Sequence, residues 1–133
     1  MMLHTLSVRT NTRTEFIDLT SQVQAAVRES GITQGLCHIF VPHTTAGVTI
    51  NESADPAVKA DILMVLNKLV ADQEPYRHLE GNSPAHIKAS LMGSQVTVFV
   101  TGGRLLLGTW QGIFFGEFDG PRSRKVHVKT VSD

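Results

Sequence analysis

Three histidines stand where the chain interrupts its regular patterning. His43 follows Pro42 in VPHTTAGVTINE, His78 lies in YRHLEGNSP, and His86 lies in SPAHIKASL. Neutral imidazole is the commonest ligand for divalent transition ions, and three of them around an open fourth position form a usual catalytic zinc site. The His78-to-His86 spacing is no standard zinc signature, so plain loop and helix-cap roles remain open for all three. Glu52, after His43, and Glu80, just beyond His78, could move a proton or orient a ligating ring. For Glu80 an exposed loop carboxylate is the simpler reading. Arg122, Arg124 and Lys125 crowd into GPRSRK, where a guanidinium can take phosphate through two parallel hydrogen bonds. The alternative is a solvated turn before an edge strand. The helix start at Ser83 adds free N–H groups, a second seat for an anion. His4, His38 and His127 fall at strand positions and read as structural. Cys37, inside an apolar run, reads as core filler. No Ser-His-Asp order can be assembled, and no G-x-x-x-x-G-K-[ST] or G-x-G-x-x-G stretch occurs.

The elements that must hold these residues follow from periodicity and punctuation. Leu6 and Val8 alternate with polar neighbours as a strand does, and a second strand spans Thr14 to Leu19. Ser21 with Gln24 suggests a capping box for a helix carrying Val23, Ala26 and Val27, ended by Gly31. Leu36 to Val41 reads as a buried strand stopped by Pro42, and Val48 and Ile50 mark the next one. Asp55-Pro56 is a helix start, with the carboxylate at the N-cap and proline where its missing N–H costs nothing. Val58, Ile62, Val65, Leu66 and Leu69 then predict a broad buried face. Ala71 to Asn82 is a long polar loop. Ser83-Pro84 repeats the cap-plus-proline start, and Gly93 ends that helix. Val96, Val98 and Val100 form a strand, followed by a hairpin signal at Gly102-Gly103. Arg104 to Trp110 and Gln111 to Phe118 read as strands, with Gly108, Gly112 and Gly116 marking bulges or close approach. Lys125 to Val131 supplies the last strand. The expected fold is α+β, one domain over residues 1–133, a mostly antiparallel or mixed sheet packed with about three helices.

Composition narrows the partners. The 133 residues are 41% apolar and 18% charged, an ordinary balance for a soluble domain. Twelve basic and twelve acidic residues cancel, so no overall basic field is available for nucleic acid. A charged small ligand must be met by a local cluster. One cysteine excludes an intrachain disulfide and fits a reducing compartment. Met1 to Thr12 lacks the apolar stretch of a signal peptide, and no apolar run could span a bilayer. The expectation is a cytoplasmic chain with no nucleic-acid or membrane partner.

HTTAGVTINE (His43 to Glu52), EGNSPAHIKASLMG (Glu80 to Gly93) and GRLLLGTWQGI (Gly103 to Ile113) together resemble the YjbQ-like family, also called secondary thiamine-phosphate synthases. The likeness covers essentially the whole chain, and Gly108 to Gln111 is its most specific part. It implies a small α+β homotrimer with a divalent metal, zinc in the first instance, on His43, His78 and His86. Magnesium would suit a diphosphate substrate. It also implies a phosphorylated substrate near Thr44, Asn82, Ser83, Trp110, Gln111, Arg122 and Arg124, and the joining of a pyrimidine diphosphate to a thiazole phosphate with release of pyrophosphate. In that scheme Arg122 and Arg124 hold phosphate. A metal-dependent hydrolase with Glu52 as general base is the first rival, and a non-enzymatic module binding a phosphorylated metabolite is the second.

Overall fold

The computed structural model describes residues 2–133. Strand β1 (Met2–Arg9) alternates as expected, with Val8 inward, and β2 (Glu15–Asp18) leads directly into helix α1 (Thr20–Ser30). The capping box at Ser21 is not formed. Leu19 holds the N-cap, and Asp18 Oδ1 accepts from the Thr20 N–H and hydroxyl instead. Gln24 leaves the helix end altogether and bonds Gly103 O and the Leu105 N–H. Gly31 ends α1 at φ +77°, where a side chain would be strained.

Strands β3 (Gln34–Phe40) and β4 (Ala46–Glu52) flank the His43 segment. Helix α2 (Pro56–Leu69) starts as predicted, Asp55 Oδ1 accepting from the Ala57 N–H. Helix α3 (Ser83–Met92) ends at Gly93, but its N-cap is Asn82, so Ser83 is the first helical residue and not the cap. β5 (Gln95–Thr101) turns through Gly102-Gly103 into β6, which is only Arg104–Leu105. The strand expected to reach Trp110 stops there because the chain folds into a turn, with Gln111 Oε1 accepting from the Gly108 N–H at 2.8 Å. β7 (Gln111–Glu117) and β8 (Ser123–Ser132) complete the chain.

Two antiparallel sheets result, one ordered β1-β8-β3-β5-β6 and the other β2-β7-β4. β8 therefore lies inside the larger sheet, between β1 and β3, which corrects the edge-strand alternative for the basic cluster. The main core joins α1 (Leu19, Val23, Val27) to one face of each sheet, through Cys37, Ile39, Val126 and Val128 on one and Val48, Ile113 and Phe115 on the other. Burial pushes the Cys37 thiol up to about 11, so it is filler as expected and no nucleophile. Phe16, Phe114 and Phe118 lie on the helix side of the small sheet, against Ala85 and Ala89 of α3 and Ile62, Leu63 and Leu66 of α2. Gly47 pairs with Gly116 across β4 and β7. A Cβ at Gly116 would stand 2.6 Å from Met92 Sδ, so these glycines let α3 lie close on the sheet.

The broad buried face predicted for α2 is not found. None of its residues is fully buried, and Val65 and Leu69 are 53% and 69% exposed. Ile62, Leu63 and Leu66 pack on the cluster and Val58 is half-buried, while Val65 and Leu69 of the predicted stripe stay in water. Among the described residues no helix is long and apolar enough to cross a membrane.

Candidate functional site

The small sheet positions the site at one of its ends. β4 begins just after His43-Thr44-Thr45, and α3 crosses the same end carrying His86, while the loop before α3 brings His78 alongside. The His78 and His86 rings meet edge to face with centroids 5.1 Å apart. A cleft of about 270 Å³ is lined by Thr44, His78, Asn82, His86, Arg122 and Arg124, among others. A larger groove of about 490 Å³ shares Thr44 and His86 and adds His43 and Ser90. Neither contains Glu52, Ser83, Trp110 or Gln111.

A buried polar network fixes this end. Arg124 Nε donates to Glu117 Oε1 at 2.8 Å, and its Nη2 donates to Glu117 Oε2 and to Thr45 Oγ1. Thr10 Oγ1 and the Asp119 N–H also donate to Glu117. Burial works against ionising Glu117, but these hydrogen bonds and the Arg124 charge outweigh it and hold the carboxyl below its usual range. Arg124 thus joins β8 to β7 and to the segment bearing His43. Its charge is already matched, which a phosphate-gripping role did not anticipate. Arg122 is half exposed and pairs with Asp119 Oδ2 at 2.9 Å, so it is the more available of the two cations. Asp119 also accepts from Asn82 Nδ2 at 2.9 Å, tying the start of α3 to the same turn. Burial opposes ionisation of Asp119 too, and the hydrogen bonds from Asn82 and Arg122 override it. Asn82 Oδ1 is left buried with no hydrogen-bond partner among the described residues, in a side chain that lines the cleft. An unmet acceptor there costs free energy until a donor arrives.

The three histidines are not equivalent as metal ligands. His43 Nε2 accepts the Lys125 backbone N–H at 2.9 Å. Burial, then the nearby Arg124 charge, lower its pKa and keep the ring neutral. A neutral ring whose Nε2 accepts carries its proton on Nδ1, so neither nitrogen offers an ion a lone pair while this bond stands. Among the described residues no group of three or more His, Cys, Asp or Glu is arranged to hold a metal. His78 and His86 remain as an imidazole pair, with Glu80 Oε1 4.0 Å from His78 Nε2. As the chain is folded, His78 and His86 stand together, while His43 spends its Nε2 on the Lys125 N–H.

Glu52 lies at the other end of β4. Its cross-strand partner is Gln111, and the Ser53 N–H donates to Trp110 O at 2.8 Å. β4 has seven residues, which at about 3.3 Å each puts about 20 Å between Glu52 and the histidine end. Sequence reading missed Glu117, Asp119 and Thr45 because only the register of β7 against β4 and the turn into β8 bring them to the site. The DGPR run carried no spacing that distinguishes a partnered arginine from a free one.

The fold and site define a class of small α+β proteins with a histidine- and arginine-lined cleft at one end of a three-stranded sheet. A model of the "UPF0047 protein YjbQ-like" family matches residues 4–133, and the chain belongs to this family. It is 52% identical to the UPF0047 protein YugU of Bacillus subtilis over 131 residues, covering 98% of this chain and 99% of that one. A UPF0047 protein of Methanocaldococcus jannaschii is likewise 52% identical over 132 residues, covering 99% and 96%. The crystal structure of a YjbQ/UPF0047 protein from Clostridium acetobutylicum superposes with TM-score 0.94 at 55% identity, over 96% of this chain and 99% of that one. A YbjQ-like protein of unknown function from Sulfolobus solfataricus gives 0.95 at 34% identity, covering 99% and 97%.

Proposed function

We propose that the cleft at His78 and His86 is an enzyme active site for a small phosphorylated substrate. The reaction we assign to it is the coupling of a pyrimidine diphosphate with a thiazole phosphate. The observation that carries this reading is the convergence of two imidazoles, the half-exposed Arg122 and the unmet acceptor Asn82 Oδ1 on one cleft. The bond between the pyrimidine methylene carbon and the diphosphate oxygen breaks, and its electron pair leaves with pyrophosphate. The thiazole nitrogen lone pair forms the new C–N bond, giving a thiazolium with no proton to remove. Arg122 exchanges part of its contact with Asp119 for the diphosphate. Thr44 and Asn82 orient the substrate, the latter taking a donor such as an amino group on Oδ1. Arg124 acts as a positioning residue through Glu117 and Thr45.

A divalent ion, zinc by donor type, would be held by His78 and His86; magnesium would travel with the diphosphate substrate instead. When bound, it would neutralise charge on the leaving group. The hydrolase alternative loses its base within one chain, because Glu52 is a strand's length away. The uncovered apolar stripe of α2 supports the homotrimer, since exposed apolar patches mark association surfaces.

The test is direct. Protein purified from a host without its own thiamine-phosphate synthase is given both precursors, and thiamine phosphate with equimolar pyrophosphate is expected. No product removes this reaction; tight retention of a precursor without turnover identifies a binding module instead.

A further inference from the structure

The groove of about 490 Å³ beside the cleft differs from it in kind. The cleft carries charges of both signs, Glu80 and Asp119 with Arg122 and Arg124. Among the described residues the groove is lined by no Asp, Glu, Lys or Arg. Ala46, Ala89 and Gly93 line it with nothing larger than a methyl group, which leaves room for a flat ring. Its rim is held in place, because Gly93 O accepts the Val48 N–H at 3.0 Å and Ser94 O accepts the Val41 N–H at 2.8 Å. Two polar side chains face this space from opposite elements. His43 has its Nε2 on the Lys125 N–H, so the donor left to its ring is Nδ1–H. Ser90, on the exposed side of α3, donates its hydroxyl to His86 O at 2.9 Å. The cleft and the groove share Thr44 and His86 and no other described residue.

We infer that the groove is a ring subsite: one substrate spans both cavities, with its uncharged heteroaromatic ring in the groove, its diphosphate in the cleft and its scissile bond beside Thr44 and His86. This rests on the active-site reading above and adds where the half of the substrate without phosphate binds. A single methylene separates the pyrimidine ring from the first diphosphate oxygen. Ring and leaving group must therefore occupy adjoining spaces of unlike polarity, and two cavities that meet at two side chains supply them. In the groove the His43 Nδ1–H donates to a ring nitrogen and fixes the rotation of the ring about the methylene. An amino group next to the methylene stays at the boundary, on the side where Asn82 Oδ1 lacks a donor. A ring without an acceptor nitrogen leaves the His43 N–H unpaired and is rejected for that reason. A charged ring is rejected as well, because no counter-charge lines the groove. Ser90, Ala46 and Ala89 set the size of ring that enters.

Calorimetry on the protein as purified tests this without turnover, using the substrate in two pieces. One piece is the pyrimidine with a hydroxyl in place of its diphosphate, and the other is inorganic pyrophosphate. Both should bind at once, with saturating pyrophosphate changing the Kd of the pyrimidine alcohol by less than about twofold. Ser90→Leu should weaken the alcohol by at least about tenfold and leave pyrophosphate binding as it is, and Arg122→Ala should do the reverse. Benzyl alcohol, which has no ring nitrogen, should bind at least about tenfold more weakly than the pyrimidine alcohol, and His43→Ala should erase that preference. Competition between the two pieces, or a Ser90→Leu protein that holds the pyrimidine alcohol normally, overturns the subsite even if the native protein makes thiamine phosphate. Independent binding in a protein that makes none leaves the subsite standing and removes only the reaction. Binding of neither piece removes both.

Discussion

Helices α1 and α2 carry apolar residues at the same helical spacing, yet the fold uses them in opposite ways. α1 buries Val23, Ala26 and Val27 where the two sheets meet. α2 rests on the small sheet by one edge and leaves Met64, Val65 and Leu69 in water. A 3.6-residue repeat therefore states that a helix has an apolar face, not how much of that face its own chain buries. The contrast extends to polar groups. Between the sheets Glu117 and Arg124 are sealed as an ion pair, whereas on the helix side the one buried charge among the described residues, Lys88 of α3, donates to the neutral amide of Asn67 on α2.

The largest effect that would break this comparison lies in the sealed layer. Glu117→Gln leaves the Arg124 guanidinium buried without its counter-charge and should cost about 3–5 kcal/mol in denaturant unfolding at neutral pH. A loss below about 1 kcal/mol would mean the pair is solvated and the layer is not closed. Next come the helices themselves. Val27→Ala should cost about 2 kcal/mol, and Val65→Ala less than about 0.5 kcal/mol in the dissociated protein. Val65→Asp should nevertheless shift sedimentation toward the monomer; equal stability losses at the two valines would erase the distinction.

The smallest effect sharpens the difference between His43 and the other two site histidines. Neutral His43 contributes stability that is complete above about pH 6.5, the imidazole value in the unfolded chain. It is lost as pH falls through the lower folded-state value, because the unfolded chain then binds the extra proton. His43→Ala should flatten that part of the stability curve. In the same preparations, metal content by elemental analysis should fall for His78→Ala and His86→Ala and hold for His43→Ala. A common loss in all three would show that the Lys125 bond gives way to an ion.

Much of this architecture is written locally. Asp55-Pro56 states its helix start outright, because one carboxylate and one ring satisfy that terminus without distant help. Ser83-Pro84 misleads by one position, since Asn82 takes the cap and spends its side chain on Asp119. Arg104 to Trp110 alternates well enough to read as a strand, and one hydrogen bond from Gly108 to Gln111 bends it into a turn. At the site, residue types were legible but grouping was not. Glu52 is close to His43 in sequence, and an extended strand turns that closeness into maximal separation. Arg122 and Arg124 look alike in sequence, and they part only once β7 sets Glu117 behind one and the turn sets Asp119 beside the other.

The position of β8 also bears on how the molecule is made. Among the described residues β1 pairs with no strand other than β8, and β3 needs β8 to fill one of its two sides. A ribosome delivers β1 and β3 well before β8, so the nascent chain carries two open strand edges that wait for a distant one. During that interval the chain is most exposed to sticking to its own kind, and a chaperone that shields strand edges would act then.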